Sequence, residues 1–140
     1  MNTSEFDDIR PYYDAEISSA MSRIARSDVF PVLASWIFPG RDLEDVRRMV
    51  LSFKTIKEFQ FGVMIPVNRQ IIERSITELT FRGFEKLNPD MQYLFVSNHR
   101  DIMLDASLLQ YLFAQRERDT TEITFGANLM TKGLITDIGK

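Results

Sequence analysis

A single histidine, His99, stands in the stretch Val96-Ser97-Asn98-His99-Arg100-Asp101-Ile102-Met103-Leu104-Asp105. Imidazole is the side chain best suited to take a proton from a hydroxyl near neutral pH, provided a carboxylate holds its other nitrogen in one tautomer. Two carboxylates are close enough in sequence, Asp101 and Asp105. If Asp101 is the N-cap of a following helix, Asp105 lies one turn along on the same face. Helical side chains tilt toward the N-terminus, so its carboxylate is then aimed back at the loop that bears His99. That is the pattern of a general base with an orienting acid. It is also the pattern of a plain helix start, with Asp101 only a cap, Asp105 a partner of the helix dipole and His99 an ordinary loop histidine.

Flanking elements have to hold such a loop. Residues 92–97 form an aromatic and β-branched run of the type buried in a parallel sheet, residues 102–116 carry a helical pattern, and residues 122–125 read as a second strand. Strand, helix, strand is a βαβ unit, whose ligands sit at the carboxyl ends of the strands, where His99 falls. Just upstream, residues 78–83 alternate like a strand and Asn88-Pro89-Asp90 turns the chain.

The first half reads as helices. Residues 14–26 place Ile17, Ala20, Met21, Ile24 and Ala25 at helical spacing, and Ser27 can cap a short apolar helix that ends at Pro39-Gly40. Asp42 caps residues 43–53, with Val46, Met49, Val50 and Phe53 facing inward, and Pro66 should kink or split the helix over residues 55–75. The fold expected is therefore α/β: a helical N-terminal subdomain over residues 1–76, then the βαβ start of an α/β domain over residues 77–140. Phe30, Trp36, Phe38, Phe53, Phe59 and Phe61 are read as core before acyl-chain groove, and residues 9–14 as the lead-in that caps the first helix.

The run Tyr93-Leu94-Phe95-Val96-Ser97-Asn98-His99-Arg100 followed by Asp101 resembles the first conserved block of the glycerolipid acyltransferases, which make lysophosphatidate and phosphatidate. In that family a histidine, four residues and an aspartate form the catalytic dyad. Here Leu104 occupies the aspartate's place and Asp105 follows one residue later, so either the loop absorbs an extra residue or Asp101 takes the role. Residues 121–129, which read as a strand entering Gly126-Ala127-Asn128-Leu129, resemble the start of the family's second block.

The two matches cover the chain from about Tyr93 onward. The family's phosphate-binding Phe-Pro-Glu-Gly-type block has no counterpart, so the chain is expected to be the N-terminal portion of a longer acyltransferase, truncated after its second motif and inactive in isolation. The resemblance implies an acyl group carried from acyl carrier protein or coenzyme A to a glycerophosphate or lysophospholipid hydroxyl, with those thioesters as co-substrates and no cofactor. His99 would be the base, Asp105 or Asp101 its partner, and Asn98, Arg100, Gly126 and Asn128 would line the substrate site.

Composition narrows the alternatives. The chain has 140 residues, 44% hydrophobic and 26% charged, within ordinary globular usage for one domain or one plus part of another. With no cysteine and one histidine, only carboxylates remain as further metal ligands, so no metal is expected. A net charge of −3 without a basic stripe argues against nucleic acid. The acidic start is no signal peptide and no apolar run reaches membrane-spanning length, so a cytoplasmic protein is expected, with peripheral contact at the inner membrane face to meet lipid substrates. Arg47-Arg48 and Arg116 to Arg118 are read as solvated charges before lipid-head contacts. The alternative function is a non-catalytic helical interaction module, or a phosphotransfer module that uses the lone histidine. Phosphotransfer histidines belong on a long bundle helix, whereas His99 is expected after a strand.

Overall fold

The computed structural model describes residues 7, 9–98, 100–102, 104–124, 126 and 133–140. His99, Phe125 and Asn128, on which part of the sequence reading rests, lie outside them. Two compact units are present, one made of residues 1–66 and 124–140, the other of residues 67–123.

The first unit is built from helices whose ends follow from local chemistry. Helix α1 (Asp14–Arg26) starts where the Glu16 carboxylate accepts the Tyr13 amide at 2.8 Å, and its acidic first turn and basic last turn suit the helix dipole. All five apolar residues expected to face inward, Ile17, Ala20, Met21, Ile24 and Ala25, are buried. Helix α2 (Phe30–Ile37) carries Pro31 in its first turn, where a missing amide costs nothing. Its N-cap is Val29. Ser27 instead ends α1 in extended backbone, and its buried hydroxyl finds no partner among the described residues. Helix α3 (Leu43–Ser52) is capped as expected, the Asp42 carboxylate accepting the amides of Glu44 and Asp45 at 2.9 and 3.1 Å.

A reciprocal cap opens the next helix: the Thr55 hydroxyl accepts the Glu58 amide at 3.1 Å, and Glu58 accepts the Thr55 amide at 3.0 Å. The run is interrupted as Pro66 requires, but by widening rather than breaking. Helix α4 (Ile56–Phe59) passes through a π-helical turn, Gln60–Met64, into α5 (Ile65–Ser75), with the Ile65 amide reaching back five residues to the Gln60 carbonyl. In an α-helix the proline ring would press on the Gly62 carbonyl four residues earlier, and a wider turn relieves that clash. Gly62 has a second constraint, because a Cβ there would overlap the ring of Phe53.

The core joins α1, α2 and α3 through Ile17, Met21, Phe30, Ala34, Val46, Val50, Phe53 and Phe59. Side chains buried as completely as Met21 and Val46 contribute roughly 1.5–3 kcal/mol each. Phe30, Phe53 and Phe59 are thus core, as expected, while Trp36 and Phe61 reach the surface. Helix α7 (Leu134–Gly139) brings the end of the chain onto α1.

In the second unit, α6 (Leu104–Ala114) forms within the expected helical stretch, shorter at both ends. Two buried amides fix it: Asn68 donates to the Ser107 carbonyl at 3.1 Å, and Gln110 donates to and accepts from Thr121. Phe113 of α6 meets Phe84 and Phe95 edge-on, Phe84 meets Phe81, and the Arg116 guanidinium lies 4.1 and 4.4 Å from the Phe81 and Phe84 ring centres. Arg116 is therefore engaged, as are Arg118 on the Leu87 carbonyl and Arg47 over Phe30.

The expected α/β fold is corrected: among the described residues there is no strand and no sheet, and all regular structure is helical. Residues 78–83 are irregular up to the left-handed Gly83 (φ 94°), which opens a 3-10 turn, Phe84–Lys86. Residues 92–98 and 122–124 are also without regular structure. The failure lies in the partners and not in the side-chain pattern. Tyr93 and Phe95 pack into the aromatic cluster while Leu94 and Val96 are 91% and 87% exposed, the alternation of an extended chain, but no backbone ladder forms beside them. An extended run becomes a strand only when neighbours satisfy its amides and carbonyls, and residue type alone cannot supply them.

Candidate functional site

Helix α6 positions the loop that the sequence singled out. The Asp101 carboxylate accepts the Leu104 amide at 2.8 Å, and its carbonyl accepts the Asp105 amide at 3.3 Å, so Asp101 caps the helix. Half-buried Asp105, one turn along, points back: its Oδ2 accepts the amides of Arg100 at 2.6 Å and Asp101 at 2.9 Å. Two inward-turned amides on one carboxylate oxygen form a small anion cradle, filled here by the protein's own side chain. The loop is thus wound round Asp105.

Asn98 and Arg100 flank the histidine position on exposed backbone, with neither in a helix. The structure brings Arg100, Asp101 and Asp105 together; His99 and Asn128 are outside the described residues. Gly126 is exposed and belongs to the other unit. No group of three or more metal-ligating side chains occurs among the described residues, and no described helix is long and apolar enough to cross a membrane.

A second polar cluster, not anticipated from the sequence, lies in the first unit. Buried Asp137 of α7 accepts the Arg23 guanidinium at 2.6 Å from Nη2 and at 2.9 Å from Nε, and the Tyr12 hydroxyl at 2.7 Å. The Tyr12 hydroxyl accepts in turn from Arg23 at 3.1 Å. Burial, and then the neighbouring carboxylate, pushes the Tyr12 phenol above its usual range, and the hydrogen bond to Asp137 raises the Arg23 guanidinium further. The tyrosine therefore stays neutral and the pair stays charged at neutral pH.

A cavity of about 350 Å³ lined by Tyr12, Arg23, Gly133, Thr136 and Asp137 opens beside them. With Asp137 saturated by donors, the cluster is a clamp between the ends of the unit and not a proton-transfer site. Asp137 falls three residues after Leu134, on the side of α7 that meets the core, and an acid so placed needs a partner; that spacing was the available signal. The lead-in both caps α1, through Arg10, Glu16 and Tyr13, and docks, through Tyr12.

No family model, curated protein or solved structure matches the chain.

Proposed function

We propose that this chain carries the acid–base centre of an acyltransferase that moves a fatty acyl group from a coenzyme A or acyl-carrier-protein thioester to a glycerophosphate or lysophospholipid hydroxyl. The observation that supports it is the division of labour between the two aspartates: Asp101 caps α6, and Asp105 gathers the amides of Arg100 and Asp101 on the C-terminal side of the histidine. A carboxylate in that position orders the loop that a base must be held by, which is the role the sequence assigned to it.

In this mechanism His99 takes the acceptor hydroxyl proton as the oxygen attacks the thioester carbonyl. The C–S bond breaks, and the thiolate leaves with the proton returned from the imidazolium. Asp105 acts on the loop and through it on the base, so it is a positioning residue. Asn98, Arg100, Gly126 and Asn128 would bind the substrates, and peripheral contact with the inner membrane face would deliver the lipid. Phosphotransfer fits less well, because Asn98 and Arg100 on either side of His99 are not helical.

The test is acyl transfer from palmitoyl-coenzyme A and palmitoyl-acyl-carrier protein to glycerol 3-phosphate and lysophosphatidate by the natural protein that carries this sequence. Turnover that His99→Ala abolishes is the expected result. Turnover that survives His99→Ala, or no turnover with any pair of substrates, refutes the assignment.

A further inference from the structure

Residues 91–98 are exposed throughout and contain no charge, in a chain in which 26% of residues are charged. Within them exposure alternates, with Tyr93 and Phe95 at 39% and Leu94 and Val96 at 91% and 87%. One face is therefore seated on the aromatic cluster while the other is bare, aliphatic and β-branched. No hydrogen bond among the described residues engages the backbone of residues 92–98. An unpaired, uncharged, apolar edge is a template for another strand, and proteins ordinarily blunt such edges with lysine, proline or a bulge. None of these devices is present here.

The flanking charges specify the occupant. Asp90 and Arg100 are both exposed and lie five residues to either side of Phe95. We propose that residues 92–98 pair antiparallel with the same segment of a second copy of this chain, in the register that sets Phe95 opposite Phe95. Asp90 then faces Arg100 of the second copy at both ends, and Gln92 faces Asn98. On the bare face Leu94 covers Val96 of the second copy, and the reverse. A parallel in-register pairing would set Asp90 against Asp90 and Arg100 against Arg100, which repel. A slip by one residue would turn Leu94 and Val96 away from their counterparts. Symmetric self-complementarity of this kind is what a two-fold interface requires. The proposal does not depend on acyl transfer.

Sedimentation velocity over a range of concentrations tests it. The expected result is a reversible monomer–dimer equilibrium. Asp90→Arg or Arg100→Asp should each weaken the dimer about tenfold, since a single substitution acts at both ends, and the two together should restore it to within about threefold. The absence of cysteine allows a register test. Leu94→Cys mixed with Val96→Cys should form an intermolecular disulfide much faster than either variant alone, because position 94 lies opposite 96 and diagonal to itself. A monomer at all concentrations, open-ended assemblies, charge variants that fail to compensate, or equal cross-linking by Leu94→Cys alone would each overturn the proposal. Far-UV circular dichroism on each exposed-site variant separates these results from misfolding.

Discussion

Replacing Asp105 by asparagine perturbs both the loop and the base it positions, and the structure sets the size of the first effect. Oδ2 of Asp105 accepts two amides, at 2.6 and 2.9 Å, on exposed backbone. A hydrogen bond to an ionised group contributes about 1.5–3 kcal/mol when shielded, and solvent access reduces this, so the two together should contribute about 2 kcal/mol. Asparagine keeps one carbonyl oxygen but loses the charge, which leaves a loss of about 1 kcal/mol. That should lower the melting temperature by roughly 3–5 °C in a chain of this size.

Asp101→Ala removes the α6 cap and costs about 1 kcal/mol by a different route. Thermal melts alone would therefore not separate the two variants. Acyl transfer should: Asp105→Asn is expected to cut kcat by orders of magnitude with KM little changed, as loss of the orienting acid does in other histidine–carboxylate pairs, while Asp101→Ala should retain activity within about tenfold. Differential scanning fluorimetry paired with thioester-release kinetics on the natural protein makes both measurements. An Asp105→Asn enzyme with wild-type kcat would show that Asp105 only shapes the loop, and a dead Asp101→Ala enzyme would transfer the orienting role to Asp101.

The other predictions concern the helical unit. Gly62→Ala, which in an ordinary helix would stabilise by about 1 kcal/mol, should instead destabilise by about 1 kcal/mol, because the new methyl meets the Phe53 ring; a raised melting temperature would refute the reading. Asp137→Asn should cost about 2 kcal/mol by chemical denaturation, since the buried carboxylate holds both Arg23 and Tyr12 while Arg23 is half-solvated. A loss below about 0.5 kcal/mol would mean the clamp is incidental. Glu16, held down to about 2 by the Arg10 fork and then by the Tyr13 amide, binds fewer protons folded than unfolded. Its contribution is present above pH 4.5 and lost as the pH falls toward 2, so the stability gap between wild type and Glu16→Gln should close across that window; a gap unchanged between pH 7 and pH 2 would contradict it.

Legibility in this sequence divides according to the range of the interactions that decide each element. Helix α1 could be read residue by residue because its five inward side chains, its acidic start and its basic end are all local, and the Asp42 cap and the disruption at Pro66 are local too. The π turn was not foreseen, because it answers Phe53 and Pro66 together, a packing constraint on top of a backbone one. At the candidate site the capping by Asp101 and the backward aim of Asp105 were legible for the same reason, both lying within one helical turn. The Tyr12–Arg23–Asp137 clamp was not, since it joins residues 114 positions apart and more.

The strands failed on range as well. Tyr93, Leu94, Phe95 and Val96 have the residue types and the alternation of a strand, but a sheet is a property of two segments, and the identity of the second is not written in the first. The same backbone that disappointed the α/β reading thereby retains unspent hydrogen-bonding capacity beside an uncovered aliphatic face. Burying that face against an identical one would satisfy both deficits at once, so the element least well explained within one chain is the one whose chemistry points outside it.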